Sequence, residues 1–259
     1  MSFFDNEIAY LSAFCDAEPL PCGVRLRDAR MPDMYSHNLT CVRDALPEAP
    51  LTELAVREIA RRCAQGADFL NLTLHFAPEQ PWLDALPDGC EHTRYGCYTL
   101  HALRGSPRSD CEIAQMTPET EPAARAFDLA VNGPDMGEDF VARRFDRRAL
   151  VYRTGAVERW LCRHRGRIVG VCDLFVHDDA AKLEDFDVHP DFQRQGFGTA
   201  LLHALTRRAQ TLGARTIYLV TDEADTAREM YVKNGFQKTA EKHEFLFYLQ
   251  SEQSFAPSL

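Results

Sequence analysis

Hydrophobic and polar positions repeat with a period that changes along the chain, and each change marks an element. Phe197, Leu201, Leu202, Leu205, Ala209 and Leu212 recur at three- and four-residue steps, with Arg207 and Arg208 off that face. This spacing predicts an amphipathic helix, which Gly213 would stop. Just before it, residues 183–188 alternate as a strand. Glu184, Phe186 and Val188 share one expected face, and Leu183, Asp185 and Asp187 the other. Pro190 ends that strand because it has no N–H to donate. Residues 216–220 read as a buried strand after the helix. Upstream, 112–115 read as a strand, and 120–131 and 137–148 as helices flanking Asn-Gly-Pro-Asp-Met-Gly. Residues 158–164 and 167–176 read as a hairpin turned at Arg165 and Gly166. Residues 236–250 make a closing strand, and 251–259 a frayed tail.

The first half shows the same alternation of periods. A helix is expected over 5–14, then a loop over 16–23 with two prolines, then strands over 24–28 and 35–42. A helix follows over 51–65, with Leu54, Ile59 and Cys63 inside. Residues 69–76 read as a strand, 81–86 as a short helix and 93–103 as a strand. This order echoes the second half. Shifted by 146 residues, Gly89 meets Gly235 (89 + 146), and Tyr-Thr-Leu-His-Ala-Leu meets Glu-Phe-Leu-Phe-Tyr-Leu. The order strand, helix, strand, short helix, strand implies a divergent internal repeat. The polar, Gly- and Pro-containing stretch 104–110 is the expected boundary. The expected organisation is a smaller related accessory domain over 1–108, a second domain over 109–250 and a tail over 251–259. Asp33, Tyr35, His37 and Asn38 form a polar patch, read as a hydrogen-bonded turn or as an acceptor contact.

Composition bounds the function. The chain has 259 residues, 45% hydrophobic and 26% charged, as expected of a globular protein. A net charge of −10 argues against nucleic-acid binding, which relies on Lys and Arg neutralising phosphates. No run reaches a membrane-spanning length, and the start, Met-Ser-Phe-Phe-Asp-Asn-Glu, lacks the basic region of a secretory signal. Nine cysteines include no C-x-x-C pair and no zinc spacing, so no metal is expected and a cytoplasmic location with reduced thiols fits best. Cys162 and Cys172 sit in apolar strands and read as core.

The candidate chemistry gathers at Val-His-Pro-Asp-Phe-Gln-Arg-Gln-Gly-Phe-Gly-Thr, residues 188–199. Gly196 and Gly198 leave the backbone uncovered where a helix begins. The unpaired N–H groups and partial positive charge of a helix start can hold a phosphate. Taken alone, the glycines are equally an ordinary tight turn. The wider pattern decides between these readings. Gln193, Gly196 and Gly198 match Gln/Arg-x-x-Gly-x-Gly/Ala, and Ala227, Tyr231, Gly235 and Phe236 match Ala-x-x-x-Tyr-x-x-x-Gly-Phe. With the helix and strand between them, residues 110–250 resemble the GNAT superfamily of acyl-CoA-dependent N-acyltransferases.

That resemblance implies an α+β fold: a mixed, mainly antiparallel sheet flanked by helices, with two parallel strands splaying apart to admit the pantetheine arm. It implies acetyl-CoA as co-substrate, and cofactor contacts from Asp187, Val188, Gln193, Arg194, Gln195, Gly196, Phe197, Gly198 and Thr199. The Val188 N–H would polarise the thioester carbonyl, and Tyr231 would protonate the departing thiolate. Glu184 stands where some members carry a catalytic carboxylate. It is expected to act as base, directly or through a water, or else only to position the amine or pair with Lys182. Asp135, Glu138 and Asp139, on the helix pair that covers the acceptor pocket in such proteins, are either receivers of a cationic amine or a solvated helix start. His189 reads as structural. One position departs: Ala224, beside Asp225, stands where an Asn is common. In the first half, Pro-Glu-Ala-Pro-Leu-Thr-Glu replaces the glycine turn, so that copy is not expected to bind coenzyme A. The expected partner is a small-molecule or peptide amine, with no nucleic acid and no membrane, the protein being a monomer or homodimer. The alternative function is a non-catalytic acyl-CoA-binding regulatory module.

Overall fold

The structure is a computed structural model, described here over residues 3–249. The first elements are α1 (Phe3–Ser12), β1 (Asp16–Leu20), β2 (Gly23–Arg27), β3 (Leu39–Val42), α2 (Glu48–Ala64), β4 (Phe69–Leu74), α3 (Gln80–Asp84) and β5 (Glu91–Leu100). Then come β6 (Glu112–Gln115), α4 (Glu121–Met136), α5 (Glu138–Tyr152), β7 (Glu158–His164), β8 (Arg167–His177) and β9 (Ala180–Val188). The chain ends with α6 (Phe197–Thr211), β10 (Thr216–Asp222), α7 (Ala227–Lys233) and β11 (Phe236–Tyr248). The fold is α+β, with mixed, mainly antiparallel sheets flanked by helices. The expected tail, 251–259, lies outside the described residues.

The chain forms two compact units. One spans Met1–Phe14 and Gly96–Ala240, the other Cys15–Tyr95 and Glu241–Leu259. The division therefore falls within β5 and β11. The stretch 104–110, expected as the boundary, lies inside the first unit, which also includes α1 packed on β8 and β9.

In the first unit the strand order is β5-β10-β9-β8-β7-β6. β9 and β10 run parallel, while β6 to β9 are antiparallel neighbours. One sheet face packs on α6, where Leu201, Leu202 and Leu205 meet Cys172, Leu174, Leu183 and Ile217 in a closed core. Burying such side chains stabilises by roughly 1.5–3 kcal/mol each. Leu212, expected on that buried face, instead caps the helix and is exposed. α4 runs unbroken to Met136 through Pro134, where a break was expected. The helix ends instead at Gly137, whose φ is +86°.

The second unit has strand order β1-β2-β3-β4-β11-β5 and a core of Leu51, Leu54, Leu70, Leu72, Trp82 and Phe245. The expected loop over 16–23 is a hairpin, β1 to β2, and Pro19 is tolerated because β1 is an edge. Asp33, Tyr35, His37 and Asn38 surround a short turn. There Asn38 bonds the Asp28 N–H and the Met31 and Met34 carbonyls, and His37 meets Asp28 at 3.3 Å.

Each unit contains a strand–helix–strand crossover with a parallel pair, β3-α2-β4 or β9-α6-β10. The strand beside each pair closes the other segment of sequence: β11 lies next to β4, and β5 next to β10. Among the described residues no helix is long and apolar enough to cross a membrane, and no His/Cys/Asp/Glu group is suited to a metal.

Candidate active site

The glycine turn is built as an open amide cradle. Arg194 and Gly196 both have positive φ, +60° and +87°, so the backbone coils tightly before α6 begins. At Gly196 that left-handed conformation favours glycine. The helix start has no side-chain cap, and its first bond runs from the Ala200 N–H to the Gly196 carbonyl at 3.0 Å. The N–H groups ahead of Ala200 are the donors a helix start leaves without intrahelical partners. Two glutamines fold inward to shape the turn: Gln193 Nε2 donates to the Val188 carbonyl at 3.1 Å and Gln195 Nε2 to the Asp191 carbonyl at 2.7 Å. His189 Nδ1 accepts from the Asp191 N–H at 3.3 Å, a structural role. A Cβ at Gly198 would come within 2.8 Å of Met230 Sδ, so glycine lets α7 approach α6 closely. Thr199 Oγ1 accepts from Asn234 at 3.4 Å. Arg194 is 83% exposed and only 3.8 Å from Glu229, which leaves it available to an anion.

Sequence patterning missed Arg108. It lies in the stretch expected to be a linker, yet its guanidinium stacks 3.7 Å over the Phe197 ring and donates to the Gln195 carbonyl at 2.8 Å. Asp110 holds it from behind at 2.5 Å. The only cue in the sequence was an Arg in a loop, which has no periodicity to interpret.

Next to the turn, β9 and β10 separate. They pair only from Thr216↔Ala180 to Leu219↔Leu183, although both strands continue. A bulge explains the separation. Val171 faces Asp187 and Asp173 faces Glu184, so β9 carries an extra residue against β8, and Asp185 has φ +52°. The bulge corrects the expected alternation. Phe186 and Val188 pack toward the α6 core, while Glu184 shares a face with its partner Asp173 and so lies opposite them. The His189 N–H bonds the Val169 carbonyl on β8 at 3.0 Å. N–H directions alternate along a strand, so the Val188 N–H points away from β8, to the edge that β10 has left.

Glu184 and Tyr231 come from opposite sides of this gap. Glu184 Oε2 lies 2.9 Å from the Lys182 ammonium, and its side chain is 33% exposed. Because Oε2 is buried, the accessible part of the group lies elsewhere. Lys182 is in turn 2.7 Å from Glu7 of α1. Tyr231 is buried between Phe186 and Phe236, with ring centroids at 6.1 and 6.3 Å. Burial raises its pKa well above the ordinary tyrosine value, with nearby Cys172, Asp225 and Glu184 adding to the effect, so it stays protonated.

The face that carries Glu184 also holds a buried charge cluster. Arg159 Nη1 reaches Asp173 at 2.9 Å and Asp185 at 2.7 Å, and its Nη2 reaches Asp128 at 2.9 Å. Arg148 bonds Asp173 at 2.6 Å, and Arg144 meets Asp185 at 3.3 Å. Burial would raise the Asp185 pKa, but Arg144, Arg148 and Arg159 outweigh it and hold the carboxyl well below its usual range. Asp187 takes a bond from Asn132 of α4 at 3.2 Å, and its pKa is raised by burial and by Asp185. Its carboxylate therefore faces α4 rather than the glycine turn. Asp135, Glu138 and Asp139 are exposed, and Asp139 pairs with Arg143 at 2.9 Å.

Comparison with known proteins agrees with this geometry. Residues 126–236 match the Acetyltransferase (GNAT) family. Over 82 residues the chain is 32% identical to the uncharacterized N-acetyltransferase CgeE of Bacillus subtilis. That match covers 31% of this chain and 32% of CgeE, so the chain spans about a third of that relative's length. A functionally unknown conserved protein from Staphylococcus epidermidis is similar over 90% of this chain and 94% of its own, with TM-score 0.74 at 18% identity. The GCN5-related N-acetyltransferase from Kribbella flavida covers 95% of both chains, with TM-score 0.62 at 16% identity. At such identities the likeness is one of fold, and it extends over both units.

Proposed function

Residues 126–236 belong to the acetyltransferase (GNAT) family, and from that membership we propose that the chain moves an acetyl group from acetyl-CoA to a primary amine by direct attack. The observation that carries this reading is the uncapped amide turn beside a separated parallel pair. The turn offers N–H donors and the Arg194 cation to a diphosphate, and Arg108 braces the turn from behind. The gap between β9 and β10 leaves room for an extended thioester arm.

A lysine-like amine has a pKa near 10.4, so presenting it neutral at pH 7 costs about 4–5 kcal/mol. Glu184 takes the amine's proton through Oε1 or a bound water, while Lys182 holds Oε2. The amine nitrogen attacks the thioester carbonyl carbon, and the Val188 N–H stabilises the oxygen that gains charge. The C–S bond then breaks, and the sulfur takes a proton from Tyr231, which burial keeps protonated. The extra proton on the newly acylated nitrogen passes through water to restore the tyrosine, so that one proton per turnover leaves through Glu184. The acceptor is a small-molecule or peptide amine, and the protein acts as a monomer or homodimer without nucleic acid or membrane.

The test is a screen of amines with acetyl-CoA, following free thiol release. Amine-dependent thiol release that Glu184→Gln lowers at least about tenfold supports the reading. Tight coenzyme A binding with no release for any amine class would favour a regulatory acyl-CoA-binding module instead.

A further inference from the structure

The second unit contains a cavity of about 210 Å³ beside the last turns of α2, walled by β1, β2 and β3. Four arginines line it, Arg25, Arg27, Arg61 and Arg62, against two carboxylates, Asp16 and Glu18. This local excess of cations occurs in a chain of net charge −10. Two of the four are neutralised within the protein. Arg25 meets Glu58 and Glu18, each at 2.6 Å, and Arg61 meets Glu58 at 3.0 Å. Arg27 and Arg62 make no ion pair with a carboxylate among the described residues.

Arg62 is the unusual member. It is only 6% exposed. Its Nε donates to the Phe69 carbonyl at 2.9 Å and its guanidinium lies 4.8 Å over the Phe69 ring, yet Nη2 is buried without a partner. Burial, reinforced by Arg61 and Arg27, lowers its pKa below the ordinary arginine value. Asp68 and Glu58 offset part of that cost without hydrogen-bonding the guanidinium, so a largely buried cation keeps an unmet donor, and an anion in the cavity would relieve the remainder.

We propose that this cavity binds a small organic anion, a carboxylate or phosphate, held by Arg27 and Arg62 with Leu26, Leu39 and Leu70 against its apolar body. The planar fork of arginine matches both head groups. The volume is below the roughly 300–1,000 Å³ of drug-sized sites, which favours a short dicarboxylate or a small phosphomonoester over a nucleotide. The site does not depend on the transferase reading, since every lining residue belongs to the second unit.

The test is calorimetric titration of the full chain with inorganic phosphate and, separately, with succinate. Coenzyme A is kept in excess to occupy the glycine turn, and sodium chloride of equal ionic strength is the control. Saturable binding of at least one probe is expected. Binding of phosphate alone identifies a phosphomonoester site, and of succinate alone a carboxylate site. Arg27→Glu should weaken that binding at least about tenfold. Arg62→Lys keeps the charge and the stem over Phe69 but loses the fork, and should also weaken it without unfolding the unit. The proposal is overturned if neither probe binds more than chloride, or if both variants bind as the parent does.

Discussion

The Glu7 carboxylate lies 2.7 Å from the Lys182 ammonium, and the two side chains are 2% and 3% exposed. The contact joins the first helix to the strand that carries Glu184, across 175 positions of sequence (182 − 7). Tyr218 donates to Glu7 at 3.0 Å, and Lys182 sits 4.5 Å over the Tyr10 ring. Removing one partner of a buried ion pair typically costs about 3–5 kcal/mol. Glu184 still faces Lys182, so Glu7→Gln is expected near the lower end, about 3 kcal/mol, read from urea unfolding. Glu7→Leu with Lys182→Met should recover only part of that loss, because the buried Glu184 Oε2 then lacks its cation. A loss below about 1 kcal/mol would show that α1 does not hold this strand.

Tyr231 should act in the chemical step rather than in binding. Its ring is packed between Phe186 and Phe236, so Tyr231→Phe keeps the packing and removes only the hydroxyl. Turnover should fall at least about tenfold while coenzyme A affinity stays within a few-fold. Unchanged turnover would remove Tyr231 from the mechanism.

Arg108 should matter for the shape of the turn. Arg108→Ala loses the bond to the Gln195 carbonyl and the stack on Phe197. The turn then loses its brace, so the coenzyme A dissociation constant should rise about tenfold, measured by calorimetry. Equal affinity in the variant would show that the turn holds its shape unaided.

Asp185 sets a dependence on acid. Its folded pKa is depressed by Arg144, Arg148 and Arg159 against the opposing effect of burial. The stability it contributes is therefore present above its unfolded value near 3.9 and is lost as pH falls through the folded value. Asp185→Asn tolerates the positive φ but strands charge on the arginines, so it should cost about 3 kcal/mol at pH 7. That difference should shrink as pH drops below about 4, as followed by urea unfolding at several pH values. A difference that stayed constant or grew on acidification would contradict the assigned ion pairs.

The sequence revealed some of these features and hid others for identifiable reasons. α6 was legible because one face of it meets a single core, which imposes a clean period, and the hairpin of β7 and β8 because Arg165 and Gly166, both with positive φ, mark the turn between two apolar runs. The turn was legible because Gly196 holds a left-handed conformation and Gly198 a close contact, and both constraints leave a mark in residue type. The bulge at Asp185 was not legible. An inserted residue keeps the polar and apolar letters alternating while it turns Glu184 to the other face. The pairing of Glu7 with Lys182 and the stacking of Arg108 on Phe197 join segments far apart in sequence, which no local pattern encodes. The Arg159 cluster was hidden for the same reason, since its partners come from α4, α5, β8 and β9.

The most direct measurement is a crystal structure of the protein with coenzyme A. The diphosphate should lie on the main-chain N–H groups of residues 194–199, with the thiol end between β9 and β10 near Val188 and Tyr231. A turn left vacant at saturating ligand, or coenzyme A held elsewhere on the chain, would contradict the account.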